Sequence, residues 1–257
     1  MTTPSTHAAA DLLWNAWQAG ETLPALPAAL RPTDAAAAME IQRAVTATIG
    51  PTIGWKVAAT SAASQAYLGV DGPLPGAMHA RFQYAPGESM SLAGQTMRVA
   101  EPEFAFRMGR AIAGDASRPE ILDAVESLHV AVEVPDTRYA DLGAVDGLQI
   151  LADGSCTGSF VLGPQIDDWQ GLDLSTQAMT IDVNGARFSE GSGAAALGDP
   201  RISLCWLVTE LARFDLALRP GDIVTTGTAA PPAPVTPGDA VTAEVAGIAQ
   251  LTVQFTS

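Results

Sequence analysis

Leu128-His129-Val130-Ala131-Val132-Glu133-Val134-Pro135-Asp136 is an apolar run with a carboxylate set into its far end. Apart from His129, the five residues before Glu133 are apolar, which reads as a core strand. A glutamate in or beside such a strand needs a partner, because an unpaired buried charge is costly. Upstream, Arg98-Val99-Ala100-Glu101-Pro102-Glu103-Phe104-Ala105-Phe106 is a second β-type run. Glu101 and Glu103 are two apart, so a strand turns both to one face with Cα atoms roughly 7 Å apart. Two anions on one face repel unless something positive lies between them. Pro102 lacks a ladder donor and implies an edge or irregular position. Brought together, Glu101, Glu103 and Glu133 make a hard, oxygen-only site suited to Mg²⁺ or Mn²⁺; zinc is disfavoured because no His/Cys set has ligand spacing. The alternative leaves Glu101 and Glu103 solvated and pairs Glu133 with Arg138.

Outward from these strands the chain divides in two. Before residue 70 it is mainly helical: Ala8–Ala19 and Thr33–Ile49 carry apolar residues at helical spacing, Thr52–Ala59 reads as a strand, and Ser61–Leu68 is a short helix ended by Gly69. From 71 onward glycine and proline are frequent and short β-type runs dominate: Met97–Met108, Leu128–Val134, Ser159–Leu162, Met179–Val183, Ile223–Thr226 and Ala240–Val245. Asn184-Gly185 marks a hairpin. One good helix interrupts them, with Asp199 as N-cap, Pro200 at its first position, and Ile202, Leu204, Cys205, Val208 and Leu211 as its buried face. Gly191-Ser192-Gly193 reads as a flexible link. The expectation is an α+β fold, one catalytic domain over residues 1–257, with a helical N-terminal part (1–70) and a β-rich metal-binding body (71–257).

The chain has 13 Lys and Arg residues, and only one is lysine. Lys56 lies in Gly54-Trp55-Lys56-Val57-Ala58-Ala59-Thr60-Ser61, among apolar neighbours with no other charge nearby. An ammonium is compact, and burial can pull its pKa toward neutrality, whereas guanidinium stays charged. Lys56 is therefore a candidate proton carrier, against the alternative of a chance leftover or a snorkelling surface lysine.

A net charge of −15 repels nucleic acid and anionic membranes, so an anionic substrate needs local positive charge. Two cysteines, Cys156 and Cys205, make no disulfide framework. Met1 to His7 show no signal-peptide pattern, and no apolar run approaches the ~20 residues of a spanning helix. A cytoplasmic protein is expected, with His7 disordered. His79 follows a Gly/Pro-rich loop (Gly72 to Ala77) that either borders a pocket or is bland; His129 reads as a satisfied structural histidine. Asp153-Gly154-Ser155-Cys156-Thr157-Gly158 and Gly221 to Thr228 are glycine-containing polar turns able to face an anion.

In this order, these stretches resemble the 2-keto-4-pentenoate hydratase and 4-oxalocrotonate decarboxylase branch of the fumarylacetoacetate hydrolase superfamily. The resemblance is carried by the Gly54–Ser61 segment, Leu68-Gly69-Val70-Asp71, Glu101 and Glu103, and Glu133 with Asp136 and Arg138. It continues through Ala152-Asp153, Phe160-Val161-Leu162-Gly163, Leu197-Gly198-Asp199-Pro200 and Gly221 to Thr228. It implies a mixed β-roll, a divalent ion on Glu101, Glu103 and Glu133, and a symmetric homo-oligomer. Catalytic roles fall to Lys56, Asp153 and Cys156, and substrate contacts to Ser155, Thr157, Thr226, Thr228 and His79. The implied substrate is a small anionic 2-keto acid. The implied reaction is addition of water to a 2-hydroxy-2,4-dienoate in meta-cleavage catabolism of aromatic compounds. Decarboxylation of a 2-oxo-enedioate, C–C hydrolysis of an acylpyruvate, or a non-catalytic metal-binding relative are the alternatives. Where family members commonly carry A-D-N-A-S-S-G, this chain has Ala152-Asp153-Gly154-Ser155-Cys156-Thr157-Gly158, which leaves substrate identity open.

Overall fold

The computed structural model describes residues 3–257. Met1 and Thr2, part of the expected N-terminal reading and of the 1–257 span, lie outside the described residues. Helix α1 (Pro4–Ala19) begins earlier than apolar spacing predicts, because Thr3 caps it in a reciprocal capping box and Pro4 starts it. His7 is thus on a helix, exposed, rather than disordered. Helix α2 (Ala35–Ile49) is capped by Asp34, whose carboxylate accepts from Ala37 N–H at 2.8 Å. Strand β1 (Thr52–Ala58) and helix α3 (Ala62–Leu68) complete the helical part.

The body then runs β2 (Leu74–His79), β3 (Gln83–Tyr84), β4 (Ser89–Ser91), β5 (Val99–Met108), α4 (Arg118–Asp123), β6 (Val125–Val134), α5 (Gly147–Ala152) and β7 (Ser159–Ile166). It continues with β8 (Ala178–Val183), β9 (Ala186–Ser192), α6 (Pro200–Ala212), β10 (Ile223–Thr228), β11 (Ala233–Pro234), β12 (Ala240–Val245) and β13 (Ala249–Thr256). An eight-stranded mixed sheet is ordered β2-β1-β10-β5-β6-β7-β3, with β11 also pairing β5; a five-stranded sheet is ordered β4-β13-β12-β8-β9. Among the described residues no helix is long and apolar enough to cross a membrane.

Three sequence expectations shift. The Gly/Pro-rich stretch before His79 is strand β2, and it sits at a sheet edge, where Pro75 costs no ladder bond. Gly191 and Ser192 end β9 rather than forming a flexible link; a Cβ at Gly191 would meet Ala229 O at 2.2 Å. On α6 the buried face is Leu204, Leu207, Val208 and Leu211, while Ile202 is 41% exposed and Cys205 is only partly buried. The hairpin is as expected: Asn184 (φ 52°) and Gly185 (φ 80°) join β8 to β9 with the positive φ pair of a type I′ turn.

The larger sheet curls. Lys56 on β1 and Glu133 on β6 are three strands apart, which in a flat sheet separates their backbones by about 14 Å. Their charged atoms are 2.9 Å apart. Alternation then gives β5 two different faces. Phe104, Phe106 and Met108 join the main hydrophobic core, which extends from Ala9 on α1 to Phe255 on β13. Ala105 turns the other way, into a small separate cluster with Met78, Ala131, Phe160 and Ile223. The three glutamates share that second face.

Candidate active site

Register aligns Glu101 with Glu133 across β5 and β6, and Glu103 with Ala131. One carboxylate oxygen from each of Glu101, Glu103 and Glu133 lies within 4.8 Å of the others, with Glu103 and Glu133 buried and Glu101 partly so. Glu103 Oε2 accepts from the Gly227 N–H at 2.7 Å, and Glu133 Oε2 accepts from the Thr225 hydroxyl at 3.3 Å. The Gly227 donor is free to turn inward because β10 slips register between Thr225 and Thr228, and Gly227 takes φ 101°.

Lys56 reaches the triad from β1. Its Nζ lies 2.9 Å from Glu133 Oε1 and donates to Ser155 O at 3.3 Å. Burial pushes the ammonium toward neutrality, but Glu133, helped by Glu101, Cys156 and Glu103, outweighs it and holds Lys56 above the ordinary lysine value. This reverses the sequence expectation: the amine is buried, yet its neighbours keep it charged. Burial raises Glu101 to about 7, with Lys56 pulling down and Glu133 pushing up. Burial and the two other carboxylates also raise Glu103. One ammonium cannot neutralise three ionised carboxylates, which is why Glu101 and Glu103 hold their protons more tightly than usual. Three convergent oxygen donors that a cation would relieve of those protons fit a hard divalent ion.

The turn Asp153–Gly158 closes one side. Gly76 on β2 lets it approach, since a Cβ there would meet Gly154 O at 2.3 Å and Lys56 Cγ at 2.9 Å. Ser155 is fully buried, and its hydroxyl donates to Pro75 O at 2.9 Å. The Thr157 hydroxyl donates to Gly154 O at 2.6 Å. Cys156 is buried, and burial raises its thiol to about 12 despite Lys56, so the sulfur stays protonated. Asp153 sits behind the turn. Its carboxylate pairs with Arg138 Nε and accepts from the Arg138 N–H at 3.0 Å and the Thr137 hydroxyl at 2.9 Å. Glu133 therefore pairs with Lys56, not with Arg138.

The structure brings together Lys56, the three glutamates and the 155–156 turn. Thr228 pairs with Glu103 across β10 and β5, and the Thr157 hydroxyl lies beside Gly76, as Lys56 does; both hydroxyls donate to backbone carbonyls. Thr226 and His79 are not brought in. Thr226 lies on the opposite strand face, its hydroxyl donating to Phe104 O at 2.9 Å; Thr228 donates to Ala230 O at 2.6 Å. His79, paired with Thr52 at the other end of β2, packs edge-on to Phe82, and its buried Nδ1 has no partner. Burial lowers it to about 4. His129 is satisfied by Ser127 Oγ (2.8 Å) and Gly163 O (2.9 Å). Thr225 is the residue that sequence reading passed over. It faces the triad because it pairs with Lys56 on one side and Ala105 on the other.

Comparisons with known proteins identify the family and the fold. The family model described as fumarylacetoacetate (FAA) hydrolase C-terminal matches residues 73–256. The 2-keto-4-pentenoate hydratase of Paraburkholderia xenovorans (strain LB400) is 31% identical over 268 residues, covering 100% of this chain and 97% of the relative. The TodF product hydratase of Pseudomonas putida (strain F1) is 31% identical, covering 98% and 96%. Among solved structures, 4-oxalocrotonate decarboxylase from Pseudomonas putida G7, complexed with magnesium and adipate, superposes with a TM-score of 0.90. That match covers 99% of this chain and 98% of the other at 24% identity, a likeness of fold.

Proposed function

This chain belongs to the fumarylacetoacetate hydrolase family, and from that premise we propose that it is a metal-dependent hydro-lyase. It adds water to a 2-hydroxy-2,4-dienoate of the 2-keto-4-pentenoate type, giving a 4-hydroxy-2-oxo acid in the breakdown of aromatic ring-cleavage products. The observation that carries the reading is an ammonium, Lys56, set 2.9 Å from one of three glutamates whose oxygens converge within 4.8 Å. The hydratase relatives, matched over nearly their full length, support the substrate class.

Glu101, Glu103 and Glu133 would hold Mg²⁺ or Mn²⁺, which supplies Lewis-acid polarisation of the 2-oxo group and its neighbouring carboxylate. Lys56 stays protonated, so its Nζ–H donates a hydrogen bond to the 2-oxygen and stabilises the negative charge that develops there, keeping its proton throughout. Ser155 O keeps Nζ aimed. The Cys156 contribution comes from its backbone rather than its thiol, because the sulfur holds its proton at neutral pH. Asp153 acts behind the turn, through Arg138. Thr225 orients Glu133. The chain works as one catalytic domain and assembles as a symmetric homo-oligomer, which light scattering would check.

Decarboxylation of a 2-oxo-enedioate is the second reading, favoured by the fold likeness to the decarboxylase. A second substrate carboxylate calls for a free cation. Arg138, the guanidinium beside the turn, has its charge answered by Asp153, and three of its five N–H groups already donate to Asp153 and Thr157. The hydratase reading is therefore preferred. With 2-hydroxypenta-2,4-dienoate, absorbance should fall when Mg²⁺ is present and hold steady with a chelator. Turnover indifferent to the chelator, or faster CO₂ release from 2-oxo-3-hexenedioate, would overturn it.

A further inference from the structure

The turn beside Lys56 has an unusual backbone. Gly154, Ser155 and Cys156 take φ of 75°, 53° and 61° in succession, and two of the three carry side chains. Left-handed geometry at a non-glycine residue costs about 1–2 kcal/mol and persists only where the surroundings over-determine it. The surroundings do so by holding every carbonyl of the turn. Asp153 O and Thr157 O both accept from the Arg138 guanidinium. Gly154 O accepts from Thr157 N–H at 3.0 Å, Ser155 O from Lys56, and Cys156 O from Asp136 N–H at 3.1 Å. With the carbonyls taken, the backbone of residues 153–157 is left one unused group: the Cys156 N–H has no acceptor among the described residues. An amide freed in a left-handed turn, one residue from the Ser155 carbonyl that holds the ammonium, is suited to an anion.

Arg138 grips both ends of this turn while wholly buried, and it is itself seated on a ring. Its guanidinium carbon lies 3.9 Å from the centroid of Trp17, and Trp17 stacks on Phe82 at 4.6 Å with an interplanar angle of 6°. Trp17 belongs to α1, outside the 73–256 region that the family model matches.

We propose that Trp17 and Arg138 are positioning residues for the substrate carboxylate. Trp17 fixes the plane of the guanidinium, the guanidinium fixes the two ends of the 153–157 turn, and the turn presents the Cys156 N–H and the Ser155 carbonyl beside Lys56. Helix α1 is then part of the binding apparatus rather than packing alone. The inference rests on the hydratase reading for its substrate, but not for its test.

The probe is oxalate, a dicarboxylate that mimics the 2-oxo acid head, titrated calorimetrically into the Mg²⁺-loaded protein. A cation–π contact to a buried guanidinium supports an expectation that Trp17→Leu weakens oxalate binding about tenfold. KM should rise by a similar factor while kcat stays within about twofold and Mg²⁺ affinity is unchanged. Trp17→Phe, which keeps an aromatic face, should recover most of the loss. A folded Trp17→Leu protein with wild-type oxalate affinity overturns the proposal. So does a parallel fall in kcat, Mg²⁺ affinity and oxalate affinity that Trp17→Phe does not rescue, since that is general damage. If Trp17→Leu fails to fold, Phe82→Leu carries the same expectation at a few-fold, and no change there overturns it. A wild-type protein without hydratase turnover would sink the proposed function and leave the oxalate result to judge this inference alone.

Discussion

Lys56 and Arg138 are both almost wholly buried, 3% and 2% exposed, and both face carboxylates, yet they are wired in opposite senses. Arg138 meets one carboxylate, Asp153, and two more of its N–H groups go to backbone carbonyls, so its charge is balanced. Lys56 meets three carboxylates with two hydrogen-bonding partners, Glu133 and Ser155 O, and cannot neutralise all three when they are ionised. A balanced pair has no net charge for an ion to answer. An unbalanced cluster is held in place by its strands and gains when a cation arrives. The difference separates a strut from a reaction centre, although the two look alike as buried ion pairs.

The comparison breaks most visibly at Lys56→Met. Loss of a positioned hydrogen-bond donor to the developing charge should cost roughly 10²–10³-fold in turnover. Divalent-ion affinity should hold or rise, because the ammonium beside Glu133 competes with the ion for the same negative charge. Steady-state kinetics together with calorimetric ion titration checks both halves. Near-wild-type turnover with the ion bound would return Lys56 to a purely structural role.

At the other pair the effect should appear in stability. Asp153→Asn leaves a buried guanidinium without its counter-charge, which costs about 3–5 kcal/mol. Urea unfolding would measure it. Added Mg²⁺ should raise wild type and variant by the same increment, because the ion site is elsewhere. A variant as stable as wild type would mean that the carbonyls and Trp17 alone hold Arg138, and that the charge balance drawn above is not what matters.

Much of this arrangement can be read from residue order. Glu101 and Glu103 share a face because a strand repeats every two residues, and a glutamate ending the apolar run 128–134 had to find a partner. What residue order conceals is who pairs with whom. Thr225 and Thr226 look equivalent in Val224-Thr225-Thr226-Gly227; only the register with Lys56 shows that Thr225 faces the triad and Thr226 the core. The catalytic role that the family resemblance implies for Asp153 gives no hint of Arg138, 15 residues earlier in sequence, as its partner. Lys56 shows the same limit: its burial is legible from Trp55 and Val57, but the direction of its pKa depends on three glutamates from two other strands. Strand β13 is a different case. Leu251, Val253 and Phe255 alternate with exposed residues in plain sight, a legible strand left unread.

The smallest expected effect concerns acid, and it sets the two regions against each other by sign. His79 lies on the Arg138 side. Burial, and secondarily the nearby Arg138 charge, hold it near 4 against an ordinary 6.5, while a Gly50 backbone bond offsets part of the shift. Its Nδ1 has no partner, so a proton placed there would be a buried donor without an acceptor. The unfolded chain takes up that proton near 6.5 and the folded one does not, so between the two values unfolding binds protons. The stability from His79 is therefore complete above about 6.5 and is lost as pH falls toward 4, by at most about 3 kcal/mol. Glu101 runs the other way: its carboxyl, raised to about 7 from 4.5, holds its proton longer when folded, so its contribution erodes as pH rises through that window. Because the two windows overlap with opposite sign, urea midpoints of the wild type from pH 4 to 7, without divalent ion, should change little. His79→Gln should unmask the Glu101 side, with stability falling as pH rises, and a variant profile that matches the wild type would show that the region around Arg138 does not sense protons through this ring.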